Sequence, residues 1–330
     1  MKIAFFNTKA YDREYFDLSN AAHAHEIDYF LPHLNLQTTA LITDHKVVCA
    51  FINDCLDAPV LAALKQKGVV LIALRSAGFN HVDLTAAKKL ALPVVRVPAY
   101  SPFAVAEHAV GLLLCLNRKI HRAFNRVREG DFSLHNLMGF DLHGKTVGVI
   151  GTGKIGQTFI DIMRGFGCRV IAYDTIENQQ YIASGLEYMA LEALFSQANI
   201  ISLHCPLTPD THHMINSETL SLMQDGVTII NTSRGKLIDT KAIIAALKVG
   251  KVGLLGLDVY EEEEALFYED LSSTVIQDDQ LSRLLTFPNV IITSHQAFFT
   301  REAMGKIAQV TLSNISNFSQ HGTLENGISV

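Results

Sequence analysis

The sequence has no Cys-x-x-Cys pair, no apolar run long enough to span a membrane and no excess of basic charge. Its five cysteines are scattered and odd in number, which argues against a disulfide framework or a structural zinc site and predicts free, buried thiols in a reducing cytoplasm. The apolar start at Met1–Phe6 is too short for a signal peptide and is typical of a first strand. A membrane-spanning helix needs about 20 apolar residues. We therefore expect a soluble, cytoplasmic protein without a metal site.

The charge balance also excludes some partners. There are 27 basic and 33 acidic residues, for a net charge of −6. A mildly acidic, mixed surface offers no electrostatic footprint for nucleic acid or an anionic membrane. With 48% apolar and 18% charged residues in 330 positions, the chain has the composition of a globular protein and the length of two domains.

Short apolar runs followed by helical patterns recur along the chain, which predicts βαβ units and parallel sheets. Ser101 and Pro102 are typical of a helix start, and the pattern predicts one helix from there to Glu129, ended by Gly130. A last helix is predicted at Arg301–Phe318, and its own pattern does not show which domain it joins. The predicted strands are Ile3–Phe6, Ile27–Phe30, Val47–Ile52, Val69–Leu74 and Val94–Val97, then Thr146–Ile150, Arg169–Tyr173, Asn199–His204, Val227–Asn231, Gly253–Leu257 and Val290–Thr293.

The second set of strands begins with a nucleotide-binding fingerprint. Thr146–Ile150 runs directly into Gly151-Thr152-Gly153-Lys154-Ile155-Gly156, and a helix follows. In such a unit the first glycine permits the turn, the second lets the backbone approach a pyrophosphate, and the third allows close packing of helix and strand. The helix N-terminus offers N–H groups and partial positive charge to the phosphates.

An acidic residue follows at the expected place. Asp174 ends the next strand, 18 residues after Gly156, where a carboxylate accepts hydrogen bonds from ribose hydroxyls and repels a 2′-phosphate. The following Thr175–Asn178 contains no arginine to bind such a phosphate. NAD is therefore favoured over NADP, although Asp174 by itself is also compatible with a turn-capping role.

Three later strands each lead to a residue suited to oxidation of a hydroxy acid. Arg234 can pair with a substrate carboxylate, and His295 can exchange the hydroxyl proton. A carboxylate beside the imidazole fixes its tautomer and favours its charged form, and Glu263 is a better candidate for this than Asp258. The carboxyl ends of parallel strands share one edge, so these groups are expected to converge there.

Each of these residues has a less specific interpretation. The chain has 14 histidines, and His204, His212 and His213 are interpreted as structural or solvent-facing. The run Glu261–Glu264 is typical of a solvated face, and spacing alone does not select one of the four. Arg234 alone is compatible with a surface ion pair.

Several segments resemble the D-isomer-specific 2-hydroxyacid dehydrogenase family, over essentially the whole chain. Two further segments look like the fermentative D-lactate branch of that family, namely Ala73–Asn80 and Val97–Pro102. The family segments are Gly151–Gly156, Leu203–Thr208, Asn231–Gly235, Gly256–Tyr260 and Ser294–Phe298.

The resemblance implies an α/β fold of two doubly wound parallel-sheet domains. A Rossmann NAD-binding domain, 101–298, is inserted into a flavodoxin-like substrate domain, 1–100 with 299–330. The family usually forms dimers through the NAD-binding domain, and some lactate-specific members form tetramers.

The resemblance also implies roles for individual residues. Arg234 anchors the substrate, Glu263 pairs with His295 because it lies five residues past Asp258, and His295 is the acid/base. Backbone N–H groups around Ala77 and Gly78 bind the substrate carboxylate. The pocket wall is formed by Phe51, Tyr100 and Phe298. The implied NAD site comprises Gly151, Gly153, Ile155, Gly156, Asp174, Cys205, Pro206, Thr211, Thr232, Ser233, Arg234 and Asp258.

Thr211 departs from the pattern of some relatives, which have asparagine at this position. Two alternatives stay open. A reductase of another 2-keto acid, of the hydroxyisocaproate, phenyllactate or hydroxypyruvate type, would keep every catalytic residue. Some relatives of this fold are NAD-sensing corepressors that work by binding proteins, but this chain keeps a full catalytic set and shows no disordered tails.

Overall fold

The computed structural model describes residues 1–263 and 266–328 and divides into two compact units. Unit 1 comprises Met1–Ser101 and Phe299–Val330, so it contains both ends of the chain, and unit 2 is the continuous segment Pro102–Phe298. Each unit is built on one parallel sheet. Within the described ranges, no helix is both long and apolar enough to cross a membrane.

The described elements alternate between strand and helix over most of the chain. The strands are β1 (Lys2–Phe5), β2 (Glu26–Tyr29), β3 (Val47–Ala50), β4 (Leu71–Leu74), β5 (Val94–Val95), β6 (Thr146–Ile150), β7 (Arg169–Tyr173), β8 (Glu187–Tyr188), β9 (Ile200–Leu203), β10 (Val227–Asn231), β11 (Val252–Leu257) and β12 (Val290–Ile292). The helices are α1 (Ala10–Asn20), α2 (Ala58–Gln66), α3 (Leu84–Lys89), α4 (Pro102–Arg118), α5 (Ile120–Arg128), α6 (Lys154–Gly165), α7 (Gln179–Ala183), α8 (Leu191–Gln197), α9 (Ser217–Leu222), α10 (Thr240–Lys248), α11 (Asp279–Leu285) and α12 (Arg301–His321). Short 3-10 turns lie at Thr38–Leu41 and Gly235–Leu237.

The sheet of unit 1 has the strand order β2-β1-β3-β4-β5, the flavodoxin-like order. Strands β3 and β4 are buried along their whole length, as expected when helices cover both faces of a parallel sheet. The C-terminal helix α12 joins this unit. Ser316 on α12 lies 2.8 Å from His23 Nδ1, and the Asn314 amide donates to the carbonyl of Arg96 at 2.9 Å.

The sheet of unit 2 has the order β12-β11-β10-β9-β6-β7-β8, and the direction of winding reverses between β6 and β9. This is the Rossmann arrangement, in which ligands bind at the carboxyl ends of the strands near the reversal. Side chains alternate between two apolar cores, one on each face. Val149 packs in the core that contains Phe159 of α6, and the next residue, Ile150, packs in the core that contains Leu194 of α8.

The structure corrects three predictions. The helix predicted to reach Glu129 is broken into α4 and α5, because Lys119 adopts a left-handed conformation (φ 50°) and its ammonium group donates to the carbonyls of Asn136 and Met138. The sheet of unit 2 has a seventh strand, β8, which was not predicted because Glu187 and Tyr188 do not form an apolar run. All five cysteines are free, but Cys55 is exposed and Cys115 is only partly buried.

Candidate active site

The residues singled out in the second half of the sequence lie along one edge of the sheet of unit 2. Because all seven strands are parallel, their carboxyl ends face the same way. Across the sheet from β12 to β7, these ends lead to His295, Asp258 with Glu263, Arg234, Cys205, the glycine loop and Asp174. The acid–base groups therefore follow the strands on one side of the winding reversal, and the fingerprint follows those on the other.

The glycine loop after β6 has no room for side chains at two positions. Gly151 has a φ of +94°, and a β-carbon there would lie 2.5 Å from the backbone nitrogen of Cys205. A β-carbon at Gly156 would lie 2.0 Å from the carbonyl oxygen of Gly151. The loop then enters α6 through Gly153, which carries no side chain to cover the N–H groups of the first turn. Backbone N–H groups at a helix N-terminus are suited to a pyrophosphate.

Asp174 at the end of β7 shapes this loop. Its carboxylate accepts hydrogen bonds from the backbone N–H and, at 3.0 Å, from the hydroxyl of Thr152, and from the N–H of Ile176 at 3.2 Å. Burial opposes ionisation, but these hydrogen bonds hold the pKa of the Asp174 carboxyl below its usual value. The side chain is partly exposed and negatively charged near neutral pH, so it can also accept hydrogen bonds from the hydroxyl groups of a ribose.

The ends of β9 and β10 are joined to each other. The Ser233 hydroxyl donates to the carbonyl of Cys205 at 2.6 Å. Burial raises the pKa of the Cys205 thiol to about 11, so this cysteine stays uncharged. The hydroxyl of Thr232 is buried and has no hydrogen-bond partner among the described residues. Thr211 donates its hydroxyl to the carbonyl of Pro206 at 2.8 Å, which closes the loop after β9.

These features fit a dinucleotide. The glycine cradle admits a backbone-bound pyrophosphate, and Asp174 offers an anionic acceptor. The buried Thr232 hydroxyl, after β10 on the same edge of the sheet, offers a polar group without a hydrogen-bond partner among the described residues. Within the described part of the chain, no cluster of three or more His, Cys, Asp or Glu side chains is arranged to hold a metal ion.

His295 and Glu263 form a direct pair. Nδ1 of His295 lies 2.8 Å from Oε1 of Glu263, and both side chains are 18% exposed. The other oxygen of Glu263 accepts the backbone N–H of Tyr260 at 2.7 Å. A carboxylate at Nδ1 selects the tautomer that carries its proton there and leaves Nε2 for proton exchange. This is the arrangement of an oriented general acid/base.

The loop that carries His295 is built around Asp258. His295 has a φ of +53°, a left-handed conformation that costs a non-glycine residue about 1 kcal/mol. Its N–H donates to the carbonyl of Asp258 at 2.7 Å. The fully buried carboxylate of Asp258 accepts the N–H groups of Gln296 and Ala297 at 2.9 and 2.8 Å, and the hydroxyl of Thr293 at 2.5 Å.

His108 on α4 completes this cluster. Its Nε2 lies 3.4 Å from Asp258 Oδ1 and 3.1 Å from the hydroxyl of Thr293. Burial opposes ionisation of Asp258, but the hydrogen bonds from His108, Thr293 and the two N–H groups hold the pKa of the Asp258 carboxyl below its usual value. Asp258 is thus an enclosed anion that orients the His295 loop. Sequence reasoning missed His108 and Thr293, because no local spacing links α4 to β12.

Arg234 is held in an extended conformation. Its carbonyl accepts the side-chain amide of Asn231 at 2.9 Å, and its guanidinium donates to the carbonyl of Ser233 at 2.7 Å. The next residue, Gly235, packs against the backbone of Tyr260, where an added β-carbon would lie 2.0 Å from the carbonyl oxygen. The segment that carries Arg234 is therefore in direct contact with the segment that carries Glu263.

The acidic run is not a uniform solvated face. Glu262 is exposed, as predicted, but the prediction for Glu261 is wrong because its carboxylate bonds to His213 at 2.6 Å and to the Thr240 hydroxyl at 2.7 Å. Glu264 lies outside the described residues. The interpretation of His204 and His212 as structural or solvent-facing agrees with the structure. Burial lowers the pKa of His204 to about 3, which makes it an uncharged structural residue, and His212 is exposed.

The remaining candidate substrate residues lie mostly in unit 1. The carbonyl of Ala77 accepts a hydrogen bond from the Arg96 guanidinium and that of Gly78 accepts one from the Ser76 hydroxyl, both at 2.8 Å, so this loop is fixed. Tyr100 and Phe51 are partly buried in the same unit, and Phe298 is partly buried in unit 2.

Comparison with known proteins places the chain in a family. Residues 110–297 match the NAD binding domain of the D-isomer specific 2-hydroxyacid dehydrogenases. A 2-hydroxyacid dehydrogenase homolog of Haemophilus influenzae is 52% identical over 326 residues, 99% of this chain and 98% of the relative. D-lactate dehydrogenase of Escherichia coli is 51% identical over 326 residues and 99% of both chains.

Solved structures give the same result. The apo-structure of D-lactate dehydrogenase from Escherichia coli superimposes with a TM-score of 0.92 at 48% identity and covers 100% of both chains. The match extends over unit 1 and unit 2 alike. The chain therefore belongs to the D-isomer-specific 2-hydroxyacid dehydrogenases, a family of NAD-dependent oxidoreductases.

Proposed function

We propose that this enzyme interconverts pyruvate and D-lactate with NAD as its cofactor. The observation that carries the proposal is the oriented His295–Glu263 pair, found in a chain 51% identical to a D-lactate dehydrogenase. The same carboxyl edge supplies Arg234, a cation suited to a 2-keto acid.

The reaction assigns one task to each of these side chains. Arg234 pairs with the substrate carboxylate through its planar fork and polarises the neighbouring carbonyl. In reduction, His295 begins protonated and gives the Nε2 proton to the developing alkoxide, and in oxidation it takes that proton back. Glu263 holds the imidazole by Nδ1 and stabilises its charged form. When NAD is bound, it supplies or accepts the hydride.

The cofactor site is assigned to unit 2, within residues 101–298. Asp174 favours NAD over NADP, because its charge repels a 2′-phosphate and Thr175–Asn178 contains no arginine to offset it. The residues that we assign to NAD are Gly151, Gly153, Ile155, Gly156, Asp174, Cys205, Pro206, Thr211, Thr232, Ser233, Arg234 and Asp258. For Asp258 the contribution is made through the loop that it holds.

The substrate contacts outside unit 2 are assigned to residues 1–100 with 299–330. Backbone N–H groups of Ala77 and Gly78 bind the substrate carboxylate, and Phe51, Tyr100 and Phe298 limit the space for its side chain. The Arg75 guanidinium lies 4.5 Å from the ring centroid of Phe5 and 4.8 Å from that of Phe51. These cation–π contacts hold the Phe51 ring in place. We assign to these three rings a size limit that favours pyruvate over branched or aromatic 2-keto acids.

Competitive assays test this function. Purified enzyme with NADH is offered pyruvate, 2-ketoisocaproate, phenylpyruvate and hydroxypyruvate, and the chirality of the product is determined. We expect the highest kcat/KM for pyruvate, a D-configured product and a loss of about 10-fold or more for each larger acid. A preference for phenylpyruvate or 2-ketoisocaproate would assign the enzyme to another branch of the family. Tight NADH binding without reduction of any 2-keto acid would indicate a corepressor-like protein.

The enzyme is further proposed to be a cytoplasmic homo-oligomer. Helix α5 has no buried residue, and large apolar side chains on it and after it are 49–87% exposed. These are Phe124, Val127, Phe132, Leu134 and Met138. An apolar patch of this kind is typical of an interface. Light scattering after gel filtration should give a dimer or tetramer that Leu134→Glu weakens, while the control Leu18→Glu, at an exposed position on α1, leaves the mass unchanged.

A further inference from the structure

A second carboxylate–imidazole pair is formed by Glu261, two residues before Glu263, and His213. Glu261 Oε1 is 2.6 Å from Nε2 of His213, and the side chains are 17% and 32% exposed. Glu261 Oε2 accepts the backbone N–H of Thr240 at 3.2 Å and the Thr240 hydroxyl at 2.7 Å. Both oxygens of Glu261 are thus used, and the carboxylate is held by three donors.

The partners of Glu261 come from two other segments. His213 lies in the loop between β9 and α9, and it is fixed there because its N–H donates to the carbonyl of Lys236 at 2.9 Å. Thr240 is the first residue of α10, which follows the Arg234 segment. Helix N-termini favour negative charge, so the carboxylate of Glu261 is well placed there. Through these hydrogen bonds Glu261, which follows β11, links the loop after β9 to the segment after Arg234.

The position of Glu261 is transmitted to Glu263 through the backbone. Tyr260, directly before Glu261, donates its N–H to Glu263 Oε2, and the other oxygen of Glu263 holds His295. The Tyr260 carbonyl is confined by Gly235 on the opposite side. A displacement of the Tyr260 backbone therefore changes the orientation of the Glu263 carboxylate.

We propose that His213, Glu261 and Thr240 form a clamp that positions the Glu263–His295 pair for proton transfer. Glu261 and His213 are positioning residues, and they act on the substrate only through Glu263. This inference rests on the proposed acid/base role of His295. It also connects the loop assigned to the cofactor with the proton donor, because His213 belongs to that loop and bonds to Glu261.

The kinetic test compares neighbouring glutamates. We expect Glu261→Gln to lower the kcat for pyruvate reduction by about 10- to 100-fold, the usual effect of misplacing a catalytic group, with little change in KM for the keto acid. His213→Gln should act in the same direction. The matched control is Glu262→Gln, one residue away and exposed, which should retain wild-type kcat. Equal effects of Glu261→Gln and Glu262→Gln would overturn the clamp.

A double substitution separates positioning from a general loss of structure. In a Glu263→Ala background no side chain links the Tyr260 N–H to His295, so adding Glu261→Gln should change kcat by less than about twofold. A purely structural defect would lower kcat by the same factor in both backgrounds, and that result would contradict the proposal.

A spectroscopic readout keeps the clamp testable if the enzyme reduces none of the acids assayed. In protein with 15N-labelled histidine, the Nδ1–H signal of His295, assigned by its loss in His295→Gln, reports the hydrogen bond to Glu263. The signal should persist in Glu262→Gln and shift or disappear in Glu261→Gln. An unchanged signal in Glu261→Gln would refute the clamp. If the enzyme reduced none of the acids but Glu261→Gln altered the His295 signal, the proposed function would be rejected and the clamp would be retained.

Discussion

Nδ1 of His295 lies 2.8 Å from Oε1 of Glu263, and the second oxygen of Glu263 is occupied by the N–H of Tyr260. One imidazole nitrogen is thus committed to orientation, and Nε2 is available for chemistry. The backbone around the imidazole is also fixed, because the N–H groups of His295, Gln296 and Ala297 all donate hydrogen bonds to Asp258. The acid/base is therefore positioned from two directions by two carboxylates.

The first prediction concerns this pair. His295→Ala should lower kcat for pyruvate reduction by about 10²–10⁴-fold, the usual contribution of general acid–base catalysis. Glu263→Gln should also lower kcat, because it removes the anion that stabilises the imidazolium and fixes its tautomer. Steady-state kinetics and NADH titration by fluorescence should show that the affinity for NADH is nearly unchanged in both variants. Full activity of Glu263→Gln would mean that another acid orients His295.

The second prediction concerns cofactor choice. The unmodified enzyme should use NADH far better than NADPH, and Asp174→Asn should narrow the ratio of the two kcat/KM values by about tenfold or more, because it removes a negative charge that faces the 2′-phosphate. Asparagine keeps an oxygen that can accept the N–H of Thr152, so the glycine loop should stay in place. The control is Glu177→Gln, at an exposed position three residues further on. An equal preference for both cofactors in the unmodified enzyme would contradict the role of Asp174.

Much of this fold could be predicted because its signals are local. Apolar runs of four to six residues predicted eleven of the twelve described strands, since a parallel strand buried on both faces is apolar along its length. The glycine fingerprint and Asp174 were likewise found from spacing, because one βαβ unit sets the distance between them. The break at Lys119 was missed because it depends on carbonyls of residues 17 and 19 positions away.

The candidate site shows the same limit. Glu261, Glu262 and Glu263 are indistinguishable in the sequence, yet one bonds to His213, one is exposed and one bonds to His295. These differences are set by partners 48 and 32 residues away in the chain, which no local pattern encodes. The resemblance to the family, rather than spacing, was what selected Glu263.

The third prediction concerns Gly235, between Arg234 and the Glu263 segment. An added β-carbon would lie 2.0 Å from the carbonyl oxygen and 2.1 Å from the carbonyl carbon of Tyr260. These are backbone atoms that cannot rotate away, so Gly235→Ala must move one of the two segments. We expect a loss of about 1–3 kcal/mol in unfolding free energy and at least about tenfold in kcat.

The matched control for this substitution is Gly111→Ala. Gly111 is exposed in the interior of α4, and nothing lies within 4 Å of a β-carbon built there. Alanine should stabilise this helix by about 0.5–1 kcal/mol and leave kcat unchanged. Urea denaturation and steady-state kinetics measure both effects. If Gly235→Ala were as stable and active as Gly111→Ala, the contact with Tyr260 would not constrain the site.

The last prediction concerns stability at acidic pH and the imidazole of His81 in unit 1. Burial, together with the nearby positive charge of Arg75, lowers the pKa of His81 to about 4. In the unfolded chain a histidine titrates near pH 6.5. As the pH falls from 7 to 5, the unfolded chain therefore binds a proton at this position that the folded chain does not bind. The free energy of unfolding should fall over this range, and His81 should contribute about 1–2 kcal/mol of that fall.

His81→Gln cannot take up the proton, so it should lose correspondingly less stability between pH 7 and pH 5, whatever its stability at pH 7. The measurement is urea denaturation of the wild type and His81→Gln without NAD at both pH values, with His321→Gln at the exposed end of α12 as the control. An equal loss of stability in wild type and His81→Gln would show that this imidazole is protonated as readily in the folded enzyme as in the unfolded chain.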